Sequence, residues 1–179
     1  VVFSREKRLD EALQEFEIAL GIYRKNYGDK HPEIASTYNL IGNTFYGQGM
    51  FNEALFNYQQ ALIANCADFE SPDQYENPKP ENYYSAEVML RSLYQKARAF
   101  EDLHNSFSLK IRDLEMAYTT IGLCDQLIDQ IRQFRTSESD KVELGAQAAD
   151  IYESAIRISV NMADISWKRQ PYLERAFQY

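Results

Sequence analysis

Residues 35–66 read ASTYNLIGNTFYGQGMFNEALFNYQQALIANC. Tyr38, Ile41 and Phe45 recur at helical spacing, and so do Leu55, Tyr58 and Leu62. Gly47-Gln48-Gly49 separates the two runs and reads as a tight turn. Gly42 and Ala54 are the small residues of the two runs, so two antiparallel helices can approach closely there. Tyr58 and Phe45 are placed to fill the gap on either side. The stretch therefore predicts one helix–turn–helix pair.

The same register occurs 42 residues earlier. Leu9 stands where Phe51 stands, Glu11 where Glu53, and Ala12-Leu13 where Ala54-Leu55. Phe16 corresponds to Tyr58, and Ala19-Leu20 to Ala61-Leu62. Two Ala-Leu pairs with an aromatic between them indicate an internal repeat. A single pair cannot bury its apolar face alone, so such pairs stack on one another. Between the copies, Gly28 closes one helix and Pro32 opens the next, the usual asymmetry.

Helical spacing continues downstream through Met89, Leu90, Leu93, Ala97 and Phe100. It resumes with Leu114, Ala117, Ile121, Cys124, Ile128 and Ile131, and again with Ala148, Ile151, Tyr152, Ala155 and Ile158. Ala97 and Ala117 are 20 residues apart, against 12 between Gly42 and Ala54. The extra residues lengthen the helices or the connection near His104–Lys110. Ala155 and Ala176 are 21 apart, so the irregularity persists. Ser71 to Pro80 holds three Pro and forms a loop. Ser137 and Asp140 are spaced as a capping box. No stretch alternates with period two, so about seven helices and no sheet are expected.

The expected fold is all-α, an α-solenoid of stacked antiparallel helix pairs. Residues 1–179 form one repeat domain in this reading. Residues 1–30 are the second helix of a truncated repeat with its linker, and 31–66 a complete repeat. Residues 67–81 are a loop, 82–135 a long irregular repeat, and 136–179 an irregular, C-terminally truncated one.

Composition agrees. The chain has 179 residues, 45% of them hydrophobic, which supplies a real core and argues against disorder. Only 7 Gly and 5 Pro argue against a turn-rich β-sandwich or barrel. With 19 Lys and Arg against 27 Asp and Glu, the net charge is −8. That charge repels phosphate backbones and disfavours nucleic-acid partners. No apolar run approaches a membrane span. Cys66 and Cys124 make neither a disulfide framework nor a zinc pattern. The chain opens on Val1 and closes within an apolar pattern, so it reads as a piece of something longer, and the expected location is cytoplasmic.

Tyr38, Ile41-Gly42, Phe45, Ala54, Tyr58 and Ala61 resemble the pattern of the tetratricopeptide repeat. Gly49 and Phe51 match its turn, whereas Cys66 stands where Pro is usual. The 42-residue offset and the linker Gly28 to Ala35 are similar to the longer repeat of kinesin light chains and bacterial regulatory proteins. A narrower set comprises Ala61-Leu62-Ile63, Asn77-Pro78, Leu93 with Lys96-Ala97, Tyr152-Glu153 with Ala155-Ile156, and Glu174 with Ala176-Phe177. It resembles the repeat region preceding a CHAT domain, a caspase-like peptidase module, in bacterial proteins. The general resemblance implies a scaffold that binds a protein or peptide. The narrower one implies a regulatory or recruitment arm for a peptidase lying C-terminal to this chain, a partner in the same polypeptide.

No catalytic, metal or cofactor site emerges. His31 reads as a helix-capping or loop residue, and His104 as a helix end. Cys124 takes a small-residue core position, where a nucleophile would need a base and a lowered pKa. Asp68, Glu70, Asp73, Glu76 and Glu81 lack the residue order of a calcium loop and read as a solvated linker. The expected binding residues lie on the first helix of each pair, which lines the concave face of such arrays. With Tyr38, Ile41, Gly42 and Phe45 in the core, Asn39, Asn43 and Tyr46 face outward. The same register puts Tyr94, Arg98 and Glu101 on the next such face. Asn can both donate to and accept from an extended peptide. Without several Lys or Arg there, capture of a terminal carboxylate is disfavoured.

Overall fold

The computed structural model describes the backbone of residues 2–134 and 138–179, and the side chains of residues 11–133 and 144–179. The described residues form seven α-helices and one π-helical turn. Their order is α1 (Val2–Tyr27), α2 (Pro32–Tyr46), α3 (Phe51–Asn65), α4 (Ala86–Leu103), a π turn (His104–Ser108), α5 (Ile111–Phe134), α6 (Glu138–Ile165) and α7 (Gln170–Gln178). The fold is all-α, and its one β-type feature among the described residues is an isolated antiparallel bridge between Cys66 and Tyr83. The chain divides into two compact units, Val1–Ser92 and Leu93–Tyr179. The capping box expected at Ser137 lies outside the described residues.

In the first unit, α1 ends where Gly28 turns left-handed at φ 80°, its N–H bonding the carbonyl of Arg24 at 3.0 Å. That conformation is open to glycine at little cost. His31 caps α2: its Nδ1 accepts from the N–H of Glu33 at 3.2 Å, with Pro32 just behind. The imidazole also stacks on Tyr27, ring centroids 4.0 Å apart.

Helices α2 and α3 approach each other closely at Gly42. A Cβ built there would lie 2.5 Å from Cε1 of Tyr58. Tyr58 is buried, and its hydroxyl donates to Oδ1 of Asn43 at 2.8 Å. Leu20, Ile34, Ala35, Ile41, Ala61 and Ala64 form the core behind this contact, and Phe16, Tyr38 and Phe45 pack onto it.

Residues 66–85 have no helix, but α3 holds them firmly. Gln59 is fully buried and donates through Nε2 to the carbonyls of Ser71 (2.7 Å) and Asp73 (2.9 Å). Asn65, also buried, donates to the carbonyl of Ser85 at 2.7 Å and accepts from its N–H at 3.1 Å. Lys30 reaches across from the α1–α2 linker. Its ammonium donates to the carbonyls of Cys66 (2.6 Å), Ala67 (3.2 Å) and Phe69 (3.0 Å). The expectation of a solvated linker is thereby corrected: the acidic side chains face water, while the backbone is fastened by buried amides and one lysine.

In the second unit, α5 packs against α6 and α6 against α7. Leu114, Ile121, Cys124, Ile128, Ile151 and Ile158 are all buried, as their spacing predicts. The extra residues between Ala97 and Ala117 appear both as longer helices and as the π turn. Leu109 ends that turn at φ 50°, with its N–H bonding the carbonyl of His104 at 3.0 Å. His104 follows α4 directly, and its Nδ1 hydrogen-bonds the carbonyl of Lys110 at 2.8 Å. It thus stands at the end of a helix, as its sequence position predicts.

Candidate functional site

The second half of α4 and the middle of α6 enclose a polar pocket of about 220 Å³ in the second unit. Tyr94, Arg98, Asp150, Glu153, Ser154 and Arg157 line it. Tyr94 and Arg98 lie one helical turn apart on α4, and the Arg98 guanidinium sits 5.6 Å from the centre of the Tyr94 ring. The Tyr94 hydroxyl lies 3.3 Å from the carbonyl of Asp150 and 3.4 Å from Oγ of Ser154.

The pocket rests on an ion pair. Glu101, only 2% exposed, accepts from Arg157 at both oxygens: Nε to Oε1 at 2.9 Å and Nη2 to Oε2 at 3.0 Å. Asn161 adds a donor at 3.4 Å, and Arg157 Nη2 also reaches Oγ of Ser154 at 3.3 Å. A buried carboxylate costs several kcal/mol unless it is paired and hydrogen-bonded, and this fork supplies both. The hydrogen bond to Glu101 raises the Arg157 pKa above its ordinary value, so the guanidinium stays charged. The pocket wall thus carries a cation in a fixed orientation, with carboxylates at Asp150 and Glu153 and hydroxyls at Tyr94 and Ser154.

The six residues expected to bind a ligand divide three and three between the units. Tyr94 and Arg98 share the pocket. Glu101, expected on an exposed face, is buried beneath it, where it orients Arg157. In the first unit Asn39 is also buried, at 1% exposure, and its Nδ2 donates to Oγ of Ser92 at 2.8 Å. Its position on α2 is covered by the start of α4, so it cannot meet a ligand directly. Asn43 is exposed and accepts from Tyr58, and Tyr46 is half-buried against Phe51, ring centroids 5.5 Å apart. Arg157 and Ser154, from a helix about sixty residues away in sequence, escaped the repeat register. The remaining signal for them was the Arg157-to-Glu153 charge pattern on α6.

The thiols take no part. Burial pushes the Cys66 thiol up to about 11, helped by Asp68 and opposed by Lys30. Burial likewise raises Cys124, which is enclosed in the α5 core. Both are protonated near neutrality and poor nucleophiles. No cluster of three or more His, Cys, Asp or Glu side chains suited to a metal occurs among the described residues. No described helix is long and apolar enough to cross a membrane.

Residues 1–62 match the family model described as tetratricopeptide repeat. The matched segment runs through α1 and α2 into α3, where the 42-residue register is clearest. No curated protein and no solved structure matches the chain. Repeats of this type generally mediate protein–protein interaction.

Proposed function

We propose that the chain is a protein-interaction scaffold that captures a polar peptide segment of a partner protein in the Tyr94–Arg157 pocket. The carrying observation is the convergence of Tyr94 and Arg98 with Arg157, whose guanidinium is locked by buried Glu101. A cation that is already oriented loses little side-chain freedom on binding, which favours affinity. Carboxylates and hydroxyls on the same wall match the mixed donors and acceptors of a peptide. Asn43 and Tyr46 on α2 provide a second polar strip in the first unit for the same class of ligand. The resemblance to repeat regions that precede a CHAT module rests on sequence motifs alone, and the scaffold reading does not depend on it.

Selection from a random peptide library on the immobilised chain tests this reading. Enriched peptides are expected to lose about 10-fold or more in affinity on Arg98→Ala or Tyr94→Ala, the loss typical of an interface hot spot. The far-ultraviolet circular dichroism should stay unchanged. If no peptide enriches, or enriched peptides ignore both substitutions, the pocket is not the binding site.

A further inference from the structure

We propose that the first unit carries a separate docking groove, formed by α1, α2 and α3, for an amphipathic helix of a partner whose apolar face is flanked by Lys or Arg. The groove holds about 590 Å³ and shares no residue with the Tyr94–Arg157 pocket. Its floor is apolar: Leu13 from α1, Tyr38, Ile41 and Phe45 from α2, and Phe56 from α3. It continues across α1, past Leu13 and Glu17, to Ile18. Phe56 and Ile18 stand at the two ends and are 50% and 58% exposed. Phe56 follows directly on the buried pair Ala54-Leu55, yet half of its aromatic surface is left open to water at the groove.

The rim selects the charge of the occupant. Glu17 and Glu53 border the apolar floor on opposite helices, and neither has an ion-pair partner among the described residues. Residues 1–92 hold 8 Lys and Arg against 14 Asp and Glu, whereas residues 93–179 hold 11 against 13. Most of the net charge of −8 therefore belongs to the unit with the groove. An apolar ridge bordered by cations complements this surface, and a second copy of the acidic unit does not.

The walls select the occupant's backbone form. All three walls are helices, whose interior backbone groups are already paired, so no sheet edge is offered to an extended strand. An extended chain would find only scattered side-chain groups, Asn52, Asn57 and the Glu17 and Glu53 carboxylates, in place of a regular row of backbone partners, and Asn57 already donates to the carbonyl of Glu53 at 2.8 Å. A helix satisfies its own backbone and presents apolar residues three and four apart.

The test uses a fluorescent peptide of about 18 residues, long enough for five turns. It carries Leu at helical spacing on one face and Lys on both flanks. A second peptide keeps the Leu face and has Glu in place of Lys. Both are titrated against the whole chain at about 0.15 M salt, where weak long-range attraction is screened. The Lys peptide is expected to bind at least about 10-fold tighter than the Glu peptide, with Phe56→Lys and Glu53→Lys each removing about 10-fold. Arg98→Ala, in the other pocket, should change nothing, so failure here leaves the peptide-capture reading standing. Equal binding of the two peptides, indifference to Phe56→Lys, or loss on Arg98→Ala overturns the groove. Concentration-dependent self-association abolished by Phe56→Lys would also overturn it, because the occupant would then be a second copy.

Discussion

Gly42 shows how a single missing side chain sets the distance between two helices. A Cβ at this position would meet the Tyr58 ring at 2.5 Å, and that ring is held by burial and by its bond to Asn43. The ring cannot move without giving up both. Gly42→Leu should therefore destabilise the chain by about 1–3 kcal/mol through overpacking, read from the urea midpoint. A neutral result would place the α2–α3 contact elsewhere. The thiols give a second test at this scale. Cys66 is raised to about 11, so its thiolate is disfavoured in the folded chain. Iodoacetamide labelling near pH 8 should be slow in native protein and rapid in urea. The sign follows: stability from the buried neutral thiol is present below the unfolded value of 9.0 and lost as pH rises toward 11. Fast native labelling at pH 8 would contradict the burial. Gly42, Tyr58 and Cys124 were legible in the sequence because their roles are local and follow the repeat register. Asn39 and Glu101 were legible only as to helix position. Their neighbours, Ser92 and Arg157, lie 53 and 56 residues away, outside any local window.

Among the elements, the segment after α3 departs most from what its composition suggests. Rich in Pro, Asn and acids, it reads as linker, and the periodicity of α3 gives no hint that Gln59 and Asn65 are anchors. Both occupy buried positions, where an amide is stable only with partners, and the loop carbonyls are those partners. Lys30 permits a comparison of effects. Its bonds to three carbonyls fix the C-terminal end of α3, whereas its 2.8 Å pair with Glu70 involves a carboxylate that is 72% exposed. Hydrogen bonds from a charged donor to otherwise unmet carbonyls outweigh an exposed ion pair. Lys30→Met should cost about 1–2 kcal/mol. Glu70→Gln should cost about 0.5 kcal/mol or less. Hydrogen exchange at Ala67 and Tyr84 should quicken in the first variant only. Equal effects would mean that the ion pair, not the cap, holds the segment. The π turn was legible as extra residues near His104–Lys110, but not in form, because its geometry depends on Leu109 accepting a left-handed backbone.

At the scale of the whole molecule, charge sorts partners before any contact forms. The excess of acids lies mainly in the α3–α4 segment, where Asp68, Glu70, Asp73, Glu76 and Glu81 face only Lys79, and in α6, whereas the acids and bases of α1 balance. Duplex DNA binding draws on the release of condensed counterions by clustered cations, and each neutralised phosphate contributes to the salt slope. Lys30 is committed to three carbonyls and Arg175 to Asp125 at 2.7 Å, so these two cations already serve internal carbonyls and a carboxylate. The chain should therefore leave a duplex DNA probe unshifted in a gel assay even at about 0.05 M salt, where electrostatic attraction is long-ranged. It should, under the same conditions, retain the Lys-flanked helical peptide. A DNA shift that weakens steeply with added salt would show that local clustering outweighs the net charge, and it would reverse the choice of partner drawn from composition.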